Sequence, residues 1–127
     1  MEAVPNERTQ AAERGAQAEQ SACDYLCRQG LKLHLRNYRC RSGEIDLIMR
    51  DGETLVFVEV RYRSSNRFGG AAASVDATKQ QKLIRAAQTF LVEQRLNQTP
   101  CRFDVVTVTP HDGVMRVDWI PNAIEAD

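Results

Sequence analysis

The stretch GEIDLIMRDGETLVFVEVRYR, Gly43–Arg63, decides the fold because it has the pattern of two β-strands joined by a tight turn. The dipeptide Asp51-Gly52 is typical of a two-residue hairpin turn, which needs positive φ angles. With Asp51 and Gly52 in the turn, Arg50 pairs with Glu53, and the other pairs follow from that register. The sequence therefore predicts an antiparallel hairpin here.

The predicted hairpin carries acidic side chains on one face. Its register sets Glu44 opposite Glu59 and Asp46 opposite Phe57, and side chains alternate between the two faces. Asp46 and Glu59 become diagonal neighbours, about 7–8 Å apart at the backbone, and Arg61 shares their face. The other face is apolar and is predicted to point to the core, with Ile45, Leu47, Met49, Val56, Val58 and Val60.

Like charges on facing strands destabilise a sheet, so these acids need a compensating charge. A divalent cation would provide it, because Mg²⁺ takes one or two carboxylates together with phosphate oxygens of a substrate. The alternative is a solvated face on which the acids pair with nearby arginines, namely Arg41, Arg61 and Arg63. The hairpin alone leaves both interpretations open.

A first helix is predicted from about Glu7 to Gln29, with Gly30 as its stop. Glu19 lies in a stripe of small and apolar residues at helical spacing, formed by Ala12, Gly15, Ala16, Ala22, Cys23 and Leu26. A buried carboxylate without a partner is costly, so such a residue usually binds a metal or another side chain. A helix packed over the acidic face would bring Glu19 to Asp46 and Glu59. At the edge of the stripe, Glu19 would bond an arginine instead.

The rest of the chain predicts four further elements around this hairpin. A second helix begins after Asp76, a good N-cap residue, and buries Leu83, Ala87, Phe90 and Leu91. The predicted elements are strands at Leu31–Tyr38, Arg102–Thr109 and Val114–Ile120, a helix from Ala77 to about Leu96, and a mobile loop at Ser64–Val75. The order α-β-β-β-α-β-β indicates an α/β layered domain with a mixed central sheet.

Composition indicates one globular domain. The chain has 127 residues, of which 43% are hydrophobic and 27% charged. Its polar start and the lack of a long apolar run predict a cytoplasmic protein without a signal peptide or membrane span. The net charge is zero, but the section from Arg28 to Arg102 holds 14 basic residues against seven acidic ones. This asymmetry is compatible with a basic face and equally with a mixed solvated surface.

The cysteines and histidines do not form a convincing zinc motif. Cys23 and Cys27 share a helical face, whereas Cys40 and Cys101 are isolated, and there is no CxxC. We expect four free thiols in a cytoplasmic protein. The two histidines, His34 and His111, do not suggest a metal pair or a triad.

Several of these motifs together resemble a known family. Asp46 followed by Glu59-Val60-Arg61 is similar to the D…(D/E)xK signature of the PD-(D/E)XK nuclease superfamily, and a preceding helix with its own Glu resembles the Holliday junction resolvase branch. The whole chain resembles the YraN family of small bacterial proteins described as predicted endonucleases. The similarity covers about Arg14 to Val108, through RNYRCRSGEIDLIMRD, LVFVEVRYR, FGG, KQQKLIRAAQTFL and RFDVV.

The resemblance implies a restriction-endonuclease-like, three-layer fold and metal-dependent hydrolysis of phosphodiester bonds. By position, Asp46 and Glu59 would bind Mg²⁺ or Mn²⁺, the Val60 carbonyl would be a further ligand, and Glu19 would complete the site. The resolvase branch also implies a homodimer. The corresponding domain boundaries are a flexible tail at residues 1–8, a nuclease-like domain at 9–120 and a second tail at 121–127.

One position departs from the family pattern, which has lysine where this chain has Arg61. Arginine stays protonated, so it can stabilise phosphate charge but cannot act as a general base. Lys79 or Lys82 of the second helix could supply an ammonium group instead, although both are equally expected as solvated surface residues.

The expected partner is DNA, with RNA as the alternative, and no membrane. The residues expected to contact phosphates are Arg39, Arg41, Arg63, Arg67, Lys79 and Lys82, which border the hairpin, the loop and the second helix. Phe68 in the loop would stack on a base or anchor the loop. Three functions follow: an endonuclease acting on branched or damaged DNA, a non-catalytic nucleic-acid-binding adaptor, or a protein-interaction domain.

Overall fold

Two helices and five strands follow one another in the predicted order in a computed structural model that describes residues 6–64 and 75–125. The elements are α1 (Glu7–Arg28), β1 (Lys32–Cys40), β2 (Gly43–Asp51), β3 (Thr54–Tyr62), α2 (Ala77–Glu93), β4 (Cys101–His111) and β5 (Val114–Ile124). Residues 65–74 of the predicted loop, including Arg67 and Phe68, lie outside the described residues, as do residues 1–5 and 126–127.

The ends of both helices follow from capping residues. Asn6 caps α1 by accepting a hydrogen bond from the Thr9 N–H at 2.8 Å, and Asp76 caps α2 in the same way through the Lys79 N–H at 2.8 Å. Gly30, with φ of 102°, follows the end of α1 and turns the chain into β1. The predicted caps Asp76 and Gly30 are thereby confirmed.

The five strands form one mixed sheet in the order β1-β2-β3-β4-β5. Strands β3 and β4 are parallel, and the other three pairs are antiparallel. Because parallel neighbours need a crossover connection, α2 lies between β3 and β4 in the chain. The short connections β1–β2, β2–β3 and β4–β5 are hairpins.

The two helices cover opposite faces of the sheet. Helix α1 packs on a cluster that includes Leu47, Met49, Val56, Val58, Val106 and Val108. Helix α2 packs on a second cluster that includes Ile45, Ile48, Leu55, Phe57, Phe103 and Val105. The central strands β2, β3 and β4 are therefore apolar on both faces. The predicted three-layer α/β architecture with a mixed sheet is confirmed.

The β2–β3 hairpin has a different register from the predicted one. Asp51 pairs with Thr54, so the turn is Gly52-Glu53 and not Asp51-Gly52. The predicted pairs Arg50–Glu53, Glu44–Glu59 and Asp46–Phe57 are wrong, since Arg50 pairs with Leu55 and Phe57 with Ile48. Asp51 remains in the strand, where its carboxylate binds the Arg102 guanidinium of β4 at 2.9 Å. That long-range ion pair favours the longer strands.

Strands β1 and β2 change faces at one common level. Arg36 pairs with Leu47 on the α1 side, whereas Tyr38 pairs with Ile45 and both pack in the α2 cluster. Between these pairs lie Asn37, whose φ is 51°, and Asp46. A left-handed residue breaks the alternation of a strand, and asparagine tolerates it well. The prediction that Ile45 shares the face of Leu47 is therefore wrong.

Several predicted element boundaries and several expected exposures differ from those in the structure. Strand β5 continues to Ile124, which is buried against Phe103, so residues 121–124 belong to the sheet and not to a tail. Residues 7 and 8 belong to α1, and α2 ends at Glu93.

In α1, Ala12 and Ala16 are exposed and Ala18 is buried. Strand β1 forms an edge, and its Leu33 and Leu35 are 38% and 40% exposed.

Two expectations concern the chain as a whole. All four cysteines are free thiols, as predicted. In the part of the chain that the structure describes, neither helix is long and apolar enough to cross a membrane.

Phe90 joins α2 to the sheet, and its replacement tests this packing. Its ring lies 5.2 Å from Tyr38 and 6.1 Å from Phe57, centroid to centroid, and the residue is 1% exposed. We expect Phe90→Ala to lower the free energy of unfolding by about 3–5 kcal/mol in urea denaturation. The control Val92→Ala, on the same helix but 64% exposed, should change it by less than about 0.5 kcal/mol. Equal losses in the two variants would contradict the packing described.

Candidate functional site

Asp46 and Glu59 are brought together at the centre of the sheet. Leu47 of β2 pairs with Val58 of β3, so the next residues along, Asp46 and Glu59, are neighbours on adjacent strands. An Oδ2 atom of Asp46 accepts a hydrogen bond from the Val60 N–H at 2.8 Å, which fixes its orientation. Glu59 is only 3% exposed. The observed register thus sets the two residues opposite each other, whereas the predicted register made them diagonal neighbours.

The proximity of these acids changes the proton affinity of Asp46. Burial raises the pKa of Asp46 to about 7, and the negative charge of Glu59 contributes in the same direction. The Val60 N–H and the Lys79 ammonium oppose this rise, because both stabilise the ionised form. A carboxyl group that titrates near neutral pH is typical of functional sites, where like charges are held together.

Among the residues that the structure describes, Lys79 forms the shortest ion pair with this pair of acids. Its Nζ lies 2.7 Å from Oε1 of Glu59, whereas Nη1 of Arg61 lies 4.0 Å from the same oxygen. The cap by Asp76 fixes the first turn of α2, and this turn directs Lys79 towards Glu59. Of the two lysines named from the sequence, Lys79 therefore reaches the acids and provides the ammonium group that position 61 lacks.

Glu19 reaches the site from the opposite layer. The prediction that α1 covers the acidic face is wrong, because α1 packs on the face of Leu47 and Val58, but the half-buried Glu19 still meets Asp46. Burial raises the pKa of Glu19, and the charges of Asp46 and Glu44 raise it further. The carboxyl groups of Glu19 and Asp46 lie within hydrogen-bonding reach of each other. The predicted meeting of Glu19 with the acidic pair occurs through Asp46.

The donor atoms suit a hard cation with few protein ligands. Across residues 6–64 and 75–125, no group of three or more His, Cys, Asp or Glu side chains is arranged to hold a metal ion. Asp46 and Glu59 nevertheless supply two adjacent carboxylates, and Mg²⁺ is commonly held by one or two carboxylates while it keeps water or phosphate oxygens. The pair fits Mg²⁺ or Mn²⁺ as a partial ligand set.

An open cavity of about 400 Å³ lies beside these acids. Its lining holds three acids and two lysines, namely Glu44, Glu59, Asp76, Lys79 and Lys82, and Gly43 closes one side. A Cβ atom at Gly43 would lie 3.4 Å from the Lys82 carbonyl oxygen, and the φ of Gly43 is 156°. Glycine therefore allows the β1–β2 turn to approach α2 and form the cavity wall.

The residues predicted to contact phosphates are only partly gathered here. Lys79 and Lys82 line the cavity, and Arg41 is exposed on the β1–β2 turn. Arg39 forms an ion pair with Glu44 at 3.4 Å. Arg63 is half-buried at the end of β3, and its N–H donates to the Val108 carbonyl. Arg67 lies outside the described residues.

Another buried carboxylate, that of Asp104, was not singled out in the sequence. It is fully buried and accepts hydrogen bonds from Arg102 at 3.1 Å, from the Trp119 indole at 2.9 Å and from the Asn122 N–H at 2.8 Å. These donors satisfy its charge, so Asp104 stabilises β4 and β5 and is not a free metal ligand. A single Asp within the apolar run RFDVV is the signal that could have revealed it.

The raised pKa of Asp46 makes a prediction about stability. Between its unfolded value of 3.8 and about pH 7, the folded protein holds a proton that the unfolded chain has lost, so this group lowers stability as pH rises through that window. We expect Asp46→Asn to be more stable than the parent at pH 8, and the difference to shrink towards pH 4. Urea denaturation with EDTA measures it, and Glu53→Gln, an exposed change in the hairpin turn, is the control. Parallel profiles of parent and Asp46→Asn would contradict the burial of this charge.

Comparison with a solved structure gives a distant similarity. The structure of Pyrococcus furiosus SfsA in complex with Ca²⁺ superposes with a TM-score of 0.41 at 8% sequence identity, over 91% of this chain and 65% of that chain.

Comparison with other sequences is more informative. A UPF0102 protein of Pseudomonas paraeruginosa is 50% identical over 94% of this chain and 98% of its own length. UPF0102 proteins of Methylococcus capsulatus and Nitrosococcus oceani are 54% and 51% identical over 88% and 91% of this chain, and over 90% and 94% of their own lengths. Residues 18–108, which include the whole acidic site, match the family described as "Uncharacterised protein family UPF0102". The chain therefore belongs to the UPF0102 family.

Proposed function

We propose that this protein is a divalent-metal-dependent endonuclease that hydrolyses phosphodiester bonds of DNA. The observation that carries the proposal is the adjacent pair Asp46 and Glu59, held beside an open cavity that Lys79 and Lys82 line. Two hard oxygen ligands next to a cavity that two lysines line suit a metal ion and a phosphate together. The resemblance of the D…ExR pattern to the PD-(D/E)XK superfamily supports the same activity.

Asp46 and Glu59 would hold Mg²⁺ or Mn²⁺, with Glu19 acting through Asp46 and the Val60 carbonyl as a further ligand. The metal, when bound, would polarise the scissile phosphate and lower the pKa of an attacking water. The Val60 N–H orients Asp46 by donating to its Oδ2 atom. The role of the protein is to hold these acids together against their mutual repulsion.

Lys79 takes the part that the superfamily pattern assigns to the lysine of (D/E)xK. Its ammonium group lies at Glu59, whereas Arg61 is farther from the same oxygen. A lysine next to the acids can neutralise the charge that develops on the phosphate in the transition state. Arg61 adds positive charge from the same strand but cannot take up a proton.

Positive side chains around the cavity would position the nucleic acid. Lys82 lines the cavity, and Arg41 lies on the adjoining β1–β2 turn. Contacts of this kind bind phosphates without reading sequence, which suits a substrate chosen by shape, such as branched or damaged DNA. RNA offers the same phosphates and is the alternative substrate. The predicted homodimer and cytoplasmic location remain part of this proposal.

The presence of arginine at position 61, where the superfamily pattern has lysine, favours a second function. This is a nucleic-acid-binding adaptor that keeps the fold but has no catalytic activity. The ion pair between Lys79 and Glu59 also favours the adaptor, because Lys79 neutralises the charge of Glu59 without a metal. Such an adaptor would bind DNA with an affinity that falls with salt and would cleave nothing.

Cleavage of supercoiled plasmid and of four-way junction DNA distinguishes the two functions. We expect nicking with Mg²⁺ or Mn²⁺ and none with EDTA. Asp46→Ala and Glu59→Ala should each reduce the rate by about 100-fold or more, since each removes a ligand that positions the metal. The control Glu53→Ala removes an exposed acid in the hairpin turn and should leave the rate unchanged.

Nicking that persists in both acid variants would refute the proposed site. Salt-dependent DNA binding without nicking under either metal would favour the adaptor. If Arg61→Lys then created nicking activity, position 61 would be the cause of the lost turnover.

A further inference from the structure

The ion pair between Lys79 and Glu59 is unequal in its exposure. The Glu59 side chain is 4% exposed, whereas that of Lys79 is 44% exposed. The lysine reaches inward from the first turn of α2 on a flexible stem. If the pair separates, Lys79 is therefore the partner that can move into solvent, while Glu59 stays in place.

A divalent cation at Glu59 would meet this ammonium group. Mg²⁺ binds carboxylate oxygens at about 2.0–2.1 Å, and the Nζ of Lys79 already lies 2.7 Å from Oε1 of Glu59. Two positive centres around one buried carboxylate repel each other strongly, because the surroundings screen them less than water does. Arg61, at 4.0 Å and on the same strand, is the more distant competitor.

We propose that Lys79 is a displaceable counter-ion of Glu59, which competes with the divalent cation for this carboxylate and is released when the cation binds. The inference rests on the proposed metal-dependent function and adds that Lys79 controls access of the metal to Glu59. Without metal, Lys79 offsets part of the charge of the two acids. With metal, the second positive charge is no longer needed at Glu59.

The released lysine remains next to the position that a phosphate would take. Lys79 lines the same cavity as Lys82, together with the acids Glu44 and Asp76, so its ammonium group stays beside this cavity once it leaves Glu59 and can bind an anion there. Metal binding would then increase the positive charge that faces the cavity. The binding of metal and of a phosphate would be coupled, each favouring the other through the position of Lys79.

Calorimetric titration of Mn²⁺ at pH 8, without DNA, tests the competition directly. Loss of a charge-assisted hydrogen bond to Glu59 should free the carboxylate, and we expect Lys79→Gln to bind Mn²⁺ at least about tenfold more tightly than the parent. Lys82→Gln removes the same charge from the same cavity without a contact to Glu59 and should change the affinity by less than about twofold. Lys79→Arg, which keeps the charge, should stay close to the parent.

Equal or weaker Mn²⁺ binding by Lys79→Gln would overturn the proposal, as would the same gain in Lys82→Gln. The plasmid assay separates this result from the fate of the nuclease function. Tighter binding by Lys79→Gln in a protein that cleaves no DNA would support the counter-ion role and refute the nuclease. Cleavage by the parent, without any gain in Mn²⁺ affinity for Lys79→Gln, would support the nuclease function and refute the counter-ion role. No Mn²⁺ binding by any variant would overturn both.

Discussion

Two carboxylates of like charge, the half-buried Asp46 and the buried Glu59, lie side by side on the central strands, and the surrounding structure compensates for part of their repulsion. The Val60 N–H donates to Asp46 and the Lys79 ammonium binds Glu59, whereas Glu19 approaches from the other layer and adds a third acid. Burial, with the charge of Glu59 added to it, still raises the pKa of Asp46 to about 7. A site that holds excess negative charge inside a sheet is prepared for a further cation.

Each layer of the fold supplies a part of this site. The apolar faces of β2 and β3 bury the backbone on both sides, which places the acids in a poorly screened environment. The Asp76 cap aims Lys79, and the close contact of Gly43 with α2 shapes the cavity beside it. The face change at Asn37 lets Asp46 meet groups from both helical layers. Each of these features helps to place charged groups around the carboxylates of Asp46 and Glu59.

Element types and the meeting of the acids could be predicted, because both depend on local patterns. Alternation along a strand assigns Asp46 and Glu59 to one face, and a two-residue shift of register leaves that assignment unchanged. The exact pairs could not be predicted, since the Asp51–Arg102 ion pair joins strands that are far apart in the chain. The left-handed Asn37 likewise has no clear sequence signal. Lys79 could be named as a cation source, but its contact with Glu59 depends on how α2 docks on the sheet.

The most direct test is the position of a bound Mn²⁺ ion in crystals of the protein, located by its anomalous scattering. The account predicts one peak between Asp46 and Glu59, about 2.0–2.3 Å from an oxygen of each carboxylate, with the Lys79 side chain turned away from Glu59. A peak elsewhere, or no peak while Lys79 remains bound to Glu59 at saturating Mn²⁺, would contradict it.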